Sequence, residues 1–223
     1  MKTIFPNETE RRGARARLRD LIRQVSLEFG SFTLASGGHS HFYLDLRRTT
    51  THPEGAYLVG TLLLDRLQEY WPDAAGGPSL GADPITGALA ALSHVHGDPL
   101  RTFIVRGSTK EHGLVGRAVE GNLRAGDRVV LLDDVVTQGG SLIRAARVVR
   151  ELGAQADRAL AILDRLEGGS ERLAREGIEL QALFALTDIL KPEEIAGPPA
   201  HDPAASMGGP PASTARPAGS DQP

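Results

Sequence analysis

Thirteen residues, Val129 to Ser141, constrain this chain more than any other stretch: Val-Val-Leu-Leu-Asp-Asp-Val-Val-Thr-Gln-Gly-Gly-Ser. The unbroken apolar run Val129–Leu132 suits a strand buried on both faces of a parallel sheet. It closes on two adjacent carboxylates, Asp133 and Asp134. A polar, Gly-rich turn from Thr137 to Ser141 follows, and a helical stretch begins at Leu142. A strand, glycines and then a helix start present backbone N–H groups and a positive dipole end to a phosphate. Acids at the carboxyl edge of a strand lie where open α/β sheets bind ligands. They suit ribose hydroxyls or a divalent cation held through oxygen. A Gly-rich loop is also compatible with an ordinary strand-to-helix turn. The acid pair favours a ligand, because an unpaired buried carboxylate is costly.

The segment resembles the ribose-phosphate motif of the type I phosphoribosyltransferases, with Gln138 where the family usually has a small residue or Thr. The resemblance implies an α/β fold with a central parallel sheet flanked by helices and a small N-terminal hood. It also implies that Asp133 and Asp134 face the ribose of phosphoribosyl pyrophosphate (PRPP). Thr137, Gln138, Gly139, Gly140 and Ser141 would hold its 5′-phosphate.

At 223 residues the chain can bury one good core with a small appendage. Hydrophobic and charged contents of 40% and 24% are those of an ordinary soluble globular protein. No apolar run is long enough to cross a bilayer, and the N-terminus lacks a signal-peptide core, so no membrane association is expected. The absence of cysteine rules out disulfides and thiolate metal sites and fits a cytoplasmic location. A net charge of −3 gives no global attraction to nucleic acid. Lysine occurs only at Lys2, Lys110 and Lys191.

Asn7 and Glu10 have the spacing of a capping box. Leu18, Leu21, Ile22 and Val25 continue at helical spacing, and Gly30 is the expected stop. Arg11, Arg12, Arg15, Arg17, Arg19 and Arg23 on this helix read as a solvated face, since no aromatic residues interleave as an RNA-binding surface needs. Two short strands around a Ser-Gly-Gly turn are expected between Ser31 and Arg47, with Phe42, Leu44 and Leu46 pointing inward. His39 and His41 could form a metal pair, but no third ligand lies nearby. The stretch Phe32-Thr33-Leu34-Ala35-Ser36-Gly37, continued by Ser40 and Tyr43, resembles the hood of the orotate phosphoribosyltransferases.

His52-Pro53 opens a helix expected to run to Tyr70 and Trp71. Gly76 to Pro84 is expected to be a turn before an Ile85–Val95 helix, where the family has its pyrophosphate loop, although a plain linker fits as well. Thr102 to Arg106 reads as a strand. The polar stretch from Gly107 to Gly126 has the character of a lid or binding loop. Arg106 just before it, with Lys110 and His112 inside it, matches the family's mobile catalytic loop, and a cationic trio would stabilise a departing pyrophosphate. Leu142–Leu152 reads as an amphipathic helix stopped by Gly153. Ala159–Leu163 is a strand ending in Asp164-Arg165, read from the residues as a strand-end ion pair. Ser170 is the expected cap of a short helix, Ile178–Leu186 the last strand, and Thr187 the start of a brief terminal helix.

By the resemblance, the orotate site comprises Arg165 for the base's carboxylate, with Thr137 and Tyr43. Catalysis falls to Lys110, His112, Asp133 and Asp134. Mg²⁺ would be carried by PRPP near Asp133 and Asp134, with no separate protein metal site. The reaction implied joins orotate and PRPP to give orotidine 5′-phosphate and pyrophosphate. A homodimer sharing the 106–126 loop across subunits is implied as well. The chain departs from the family where lysines are common, at Ala35, near Gly81 and at Gly107. These losses keep two alternatives open: a PRPP-binding paralogue using another base, or a non-catalytic PRPP-sensing regulator.

The domain is expected to span 1–190, with the hood over 1–47. From 191 to 223 the composition changes, and eight of the 14 prolines lie between Pro192 and Pro223. Such a segment cannot offset its ordering entropy and is expected to be a disordered tail.

Overall fold

The expected alternation of strands and helices is realised in a computed structural model of the chain, which describes residues 3–33, 39–107 and 118–197. Helix α1 (Glu8–Val25) opens as its sequence predicts: Asn7 Oδ1 accepts from the Glu10 N–H at 3.0 Å, and Asn7 Nδ2 donates to Glu10 Oε1 at 3.1 Å. Its arginines are tied to the chain's own acids as well as exposed. Arg11 pairs with Asp65 at 2.8 Å, Arg15 with Asp188 at 2.9 Å and Arg23 with Glu194 at 2.7 Å. The helix stops at Val25, not Gly30, because Ser26 caps it and β1 (Leu27–Thr33) begins at once. Strand β1 pairs antiparallel with β2 (His39–Leu44), Phe29 opposite Phe42, and this ribbon is the hood.

A short helix α2 (Arg47–Thr50), not foreseen from the sequence, leads into α3 (Pro53–Leu67). Helix α3 ends before Tyr70 and Trp71, which still pack against the core from beyond it. The remaining elements are β3 (Ala74–Pro78), α4 (Asp83–His96), β4 (Arg101–Val105), β5 (Val119–Gly121), β6 (Arg128–Val136), α5 (Gly140–Glu151) and β7 (Gln155–Asp164). They are followed by α6 (Gly169–Arg175), β8 (Glu179–Ala185), α7 (Leu186–Ile189) and α8 (Pro192–Ala196). Gly168, in a left-handed conformation, caps α6 in place of the expected Ser170.

The six main strands lie in the order β5-β4-β3-β6-β7-β8, all parallel except for β5 at one edge. The apolar runs of β6 and β7 serve both faces, as period-two alternation requires. Val130, Leu132, Leu160 and Ile162 face α1, α3 and α4, while Val129, Leu131, Ala159 and Ala161 face α5 and α6.

Two further expectations need correction. Gly76 and Gly77 belong to central strand β3 and not to a turn. A Cβ on Gly76 would stand 2.0 Å from the Phe103 carbonyl oxygen, and one on Gly77 1.8 Å from that of Leu132. Glycine is required there because the neighbouring backbones come so close. The stretch from 191, expected to be tail throughout, opens instead on a helix, Pro192–Ala196 (α8). Glu194 binds Arg23, Ile195 packs against the core, and Arg23 also donates to the Ile189 carbonyl. Residues 198–223 lie outside the described residues.

Candidate active site

Strands β3 and β6 are neighbours in the sheet, yet their chains leave in opposite directions. β3 continues through α4 to β4, and β6 continues through α5 to β7. The two helices cover opposite faces, α4 with one core and α5 with the other. A crevice at the carboxyl end of such a pair is where open α/β sheets take ligands. Pairing between β3 and β6 runs from Ala74–Val129 to Gly76–Leu131, and Asp133 and Asp134 lie just beyond it. The strand does not end at these acids. It runs on to Val136, because β6 keeps pairing with β7 as far as Val136–Asp164.

Asp133 is 5% exposed. Its Oδ2 accepts from Ser141 Oγ at 2.8 Å and its Oδ1 from the Asp134 N–H at 3.0 Å. Burial pushes its carboxyl up to about 7, and the charge of Asp134 adds to this while the Ser141 hydroxyl opposes it. Asp134, whose Oδ1 accepts from the Val135 N–H at 2.8 Å, is also raised, chiefly by burial. Both carboxylates converge on Gly81. A Cβ there would stand 2.5 Å from Asp134 Oδ1 and 2.6 Å from Asp133 Oδ1. Glycine therefore lets the Ser79–Ala82 loop lie directly on the acid pair, where a lysine would have to displace it. That loop is held by the Ser79 N–H donating to the Val105 carbonyl at 2.9 Å, and by Ser79 Oγ donating to Asp83 at 3.1 Å.

After Val136 the chain turns through Thr137, Gln138 and Gly139. Gly139 is left-handed at φ 71°, a conformation costly for residues with a Cβ. Helix α5 then starts at Gly140 with no side-chain cap and no acid in its first turn. Its leading N–H groups have no intrahelical partners and aim their positive end at the crevice, as an anion site requires.

The hood closes one side of the site. Tyr43, Asp45, Arg47, Leu80, Gly81 and Asp134 line a cavity of about 270 Å³. Arg47 grips Asp45 through two bonds of 2.8 and 2.9 Å, which hold the Asp45 carboxyl below its usual range. Tyr43 stacks beside Phe32 with ring centroids 5.6 Å apart. Sequence reasoning named Tyr43 but passed over Asp45 and Arg47. The signal was present in the Asp-Leu-Arg step, where opposite charges two residues apart take the outward positions that alternate with Leu44 and Leu46.

Arg165 follows β7. Its N–H donates to the Val136 carbonyl at 2.9 Å, and its guanidinium lies 5.7 Å from the centre of the Phe42 ring, beside Tyr43 in β2. Its ion partner is Glu167, 2.9 Å from Nε, and not the expected Asp164, whose Oδ1 accepts from the Leu166 N–H. The Glu167 oxygen is poorly directed, so the buried Nε makes no hydrogen bond among the described residues. Arg106 meets Glu120 at 3.2 Å on the far side of the crevice. Lys110 and His112 lie outside the described residues, as does Ala35. His39 and His41 are both exposed, and among the described residues no three His, Asp or Glu gather as a metal site. A larger cavity of about 850 Å³ between the hood and α8 is lined by His41 but by none of the candidate phosphate- or orotate-binding residues.

A switch-point crevice carrying an acid pair, a Gly-rich turn and an uncapped helix start is the arrangement expected of a phosphoribosyltransferase domain, and the chain has that domain. Residues 50–185 match the family model described as the phosphoribosyl transferase domain. Within that class the chain belongs to the orotate phosphoribosyltransferase family. It is 42% identical over 179 residues to the orotate phosphoribosyltransferase of Aquifex aeolicus (strain VF5), an alignment covering 79% of this chain and 97% of the relative. Among solved structures, it resembles orotate phosphoribosyltransferase of Mycobacterium tuberculosis H37Rv in complex with Fe(III) dicitrate. The TM-score is 0.71 at 34% identity, over 79% of this chain and 98% of that one. The same enzyme in complex with PRPP gives a TM-score of 0.65 at 29% identity, over 80% and 92% of the two chains. Among the described residues no helix is long and apolar enough to cross a membrane.

Proposed function

We propose that this chain transfers the phosphoribosyl group of PRPP to orotate, giving orotidine 5′-phosphate and pyrophosphate, and that it does so in the crevice between β3 and β6. The observation that carries this reading is the convergence of Asp133, Asp134 and the uncapped start of α5 at the switch point, within one family of relatives. Asp133 and Asp134 face the ribose hydroxyls, and the turn from Thr137 through Gln138, Gly139 and Gly140 to Ser141 receives the 5′-phosphate. The Ser79–Ala82 loop and Arg106 flank the pyrophosphate. Arg165, Tyr43 and Thr137 orient orotate, the guanidinium fork of Arg165 meeting its planar carboxylate. As the bond from C1′ to pyrophosphate breaks, its electron pair leaves with the pyrophosphate, and N1 of orotate closes on C1′ from the other side, its N1 proton being released to solvent. Arg106, Lys110 and His112 stabilise the charge gathering on the departing group. Positioning and charge do the catalysis, with no covalent intermediate on the protein.

The carboxylates of Asp133 and Asp134 fit Mg²⁺: they offer only oxygen donors, converge on one point beside Gly81, and resist holding charge without a cation. When bound, the cation supplies charge neutralisation to the pyrophosphate and ribose oxygens. The proposed assembly is a homodimer with the 106–126 loop reaching the partner's site, in the cytoplasm. Both follow from the family resemblance, and the lack of cysteine agrees with the location.

The test is an orotate-consumption assay with Mg²⁺ and PRPP, run beside other free bases. Orotate is expected to be consumed in preference to every other base. Turnover of a different base, or PRPP binding without turnover, would replace this reading with a paralogue or a PRPP-sensing regulator.

A further inference from the structure

The site must accept a substrate with two phosphate groups at either end of a ribose, beside two acids of its own. The arginines around it are mostly committed elsewhere: Arg47 to Asp45, Arg106 to Glu120, Arg165 to Glu167. Arg144 is the exception. Among the described residues it has no hydrogen-bond or ion-pair partner.

Its position is unusual for a free cation. Arg144 sits in the second turn of α5, and its side chain folds back toward the helix start, as helical side chains do. Nη1 lies 3.4 Å from where a Cβ on Gly140 would be. The guanidinium thus stands at the positive end of the helix, where a cation is disfavoured and an anion favoured. No acid in the first turn compensates it. Arg144 also lines a cavity of about 170 Å³ together with Ser79, Arg106, Gly107 and Ser141. Two arginines and two hydroxyl residues, from the β3–α4 loop, the end of β4 and the start of α5, therefore surround one small space.

We infer that Arg144 is a substrate-binding residue, forming with Arg106 a phosphate subsite beside the acid pair. This rests on the functional reading above. The group bound is a phosphoryl group of the substrate, and both the 5′-phosphate and the pyrophosphate of PRPP have the required chemistry. The subsite brings charge from α5 to a crevice whose loop positions Gly81 and Gly107 carry none.

Calorimetry on Arg144→Gln tests the inference, with PRPP, ribose 5-phosphate and pyrophosphate as separate probes. Arg147→Gln is the control, removing the same charge about one turn further along α5, where Arg147 pairs with Glu176. Arg144 makes no contact that folding needs, so the variant is expected to unfold at the wild-type temperature. PRPP binding should weaken about tenfold, the size of one charge-assisted hydrogen bond. Arg144→Lys should restore part of it, while Arg147→Gln stays near wild type. A matching loss for ribose 5-phosphate assigns Arg144 to the 5′-phosphate, and a matching loss for pyrophosphate assigns it to the leaving group. Unchanged affinity for all three probes in Arg144→Gln, or an equal loss in Arg147→Gln, would overturn the inference. Should wild type bind none of the probes, the functional reading itself fails and the inference with it.

Discussion

Asp133 combines near-complete burial with a carboxyl pushed up to about 7, so its charge is present at physiological pH only against a cost. The sign follows from linkage. Its folded value lies above the ordinary one, so the fold gains stability as pH falls from about 7 toward 4, and carries the buried charge as a penalty above 7. Replacing both acids, Asp133→Asn with Asp134→Asn, should therefore leave the fold intact and abolish PRPP binding. At pH 8 the double variant should equal wild type in stability or exceed it by on the order of 1–3 kcal/mol, and this margin should shrink by pH 5. Thermal unfolding at the two pH values reads the margin, and calorimetry reads the binding. Retained PRPP affinity in the folded variant would remove the acids from the site. Arg165→Ala should raise the KM for orotate far more than that for PRPP, by the equivalent of about 1.5–3 kcal/mol. Equal losses for both substrates would make Arg165 structural. Gly107 lies outside the left-handed region, and a Cβ there meets nothing nearer than the Ser79 carbonyl at 3.8 Å. Gly107→Lys should therefore be tolerated and raise kcat, because added charge meets a pyrophosphate that becomes more negative as it leaves. Gly107→Ala is the control for backbone stiffening. If alanine is harmless and lysine brings no gain, the missing charge is already supplied from elsewhere in the site.

At the scale of elements, α8 yields the sharpest test. Removing 192–223 deletes Ile195 and the Arg23–Glu194 pair, and should lower the melting temperature by several degrees, from about 1–2 kcal/mol of lost packing and pairing. Removing only 198–223 should leave it unchanged, as the composition of that segment suggests. Equal melting temperatures for the two truncations would show that α8 contributes nothing. The start of this helix was hidden because proline in a proline-rich stretch reads as tail, whereas here Pro192 opens a helix. The strand β6, its turn and α5 were legible for the opposite reason: a run of valine and leucine, two acids and paired glycines have few other uses. Strand β3 was not, since Ala-Ala-Gly-Gly-Pro lacks the branched side chains that mark strands, and only its neighbours' backbones explain the glycines. The Gly-rich turn, the acids and Arg165 could be named as candidates from sequence, but not the pressing of Gly81 onto the acids. Nor could Arg47's hold on Asp45, because both contacts join or tighten segments whose approach no local pattern encodes.

Across the whole molecule, the sheet divides at the β3–β6 boundary into two units, one built on β3, α4 and β4, the other on β6, α5 and β7. Backbone pairing between the units is short, three residue pairs from Ala74–Val129 to Gly76–Leu131, whereas β6 and β7 pair along nearly their full length. A substrate in the crevice would touch the Ser79–Ala82 loop of one unit and the Thr137–Ser141 turn of the other. It would act as a rivet across this short seam of the sheet. Hydrogen exchange should show this directly: on adding PRPP with Mg²⁺, the amides of Leu80–Ala82 and of Gln138–Ser141 should slow together, along with those of β3 at the seam. Slowing on one side alone would mean that the ligand is held by a single unit, and that the division of the sheet has no part in binding it.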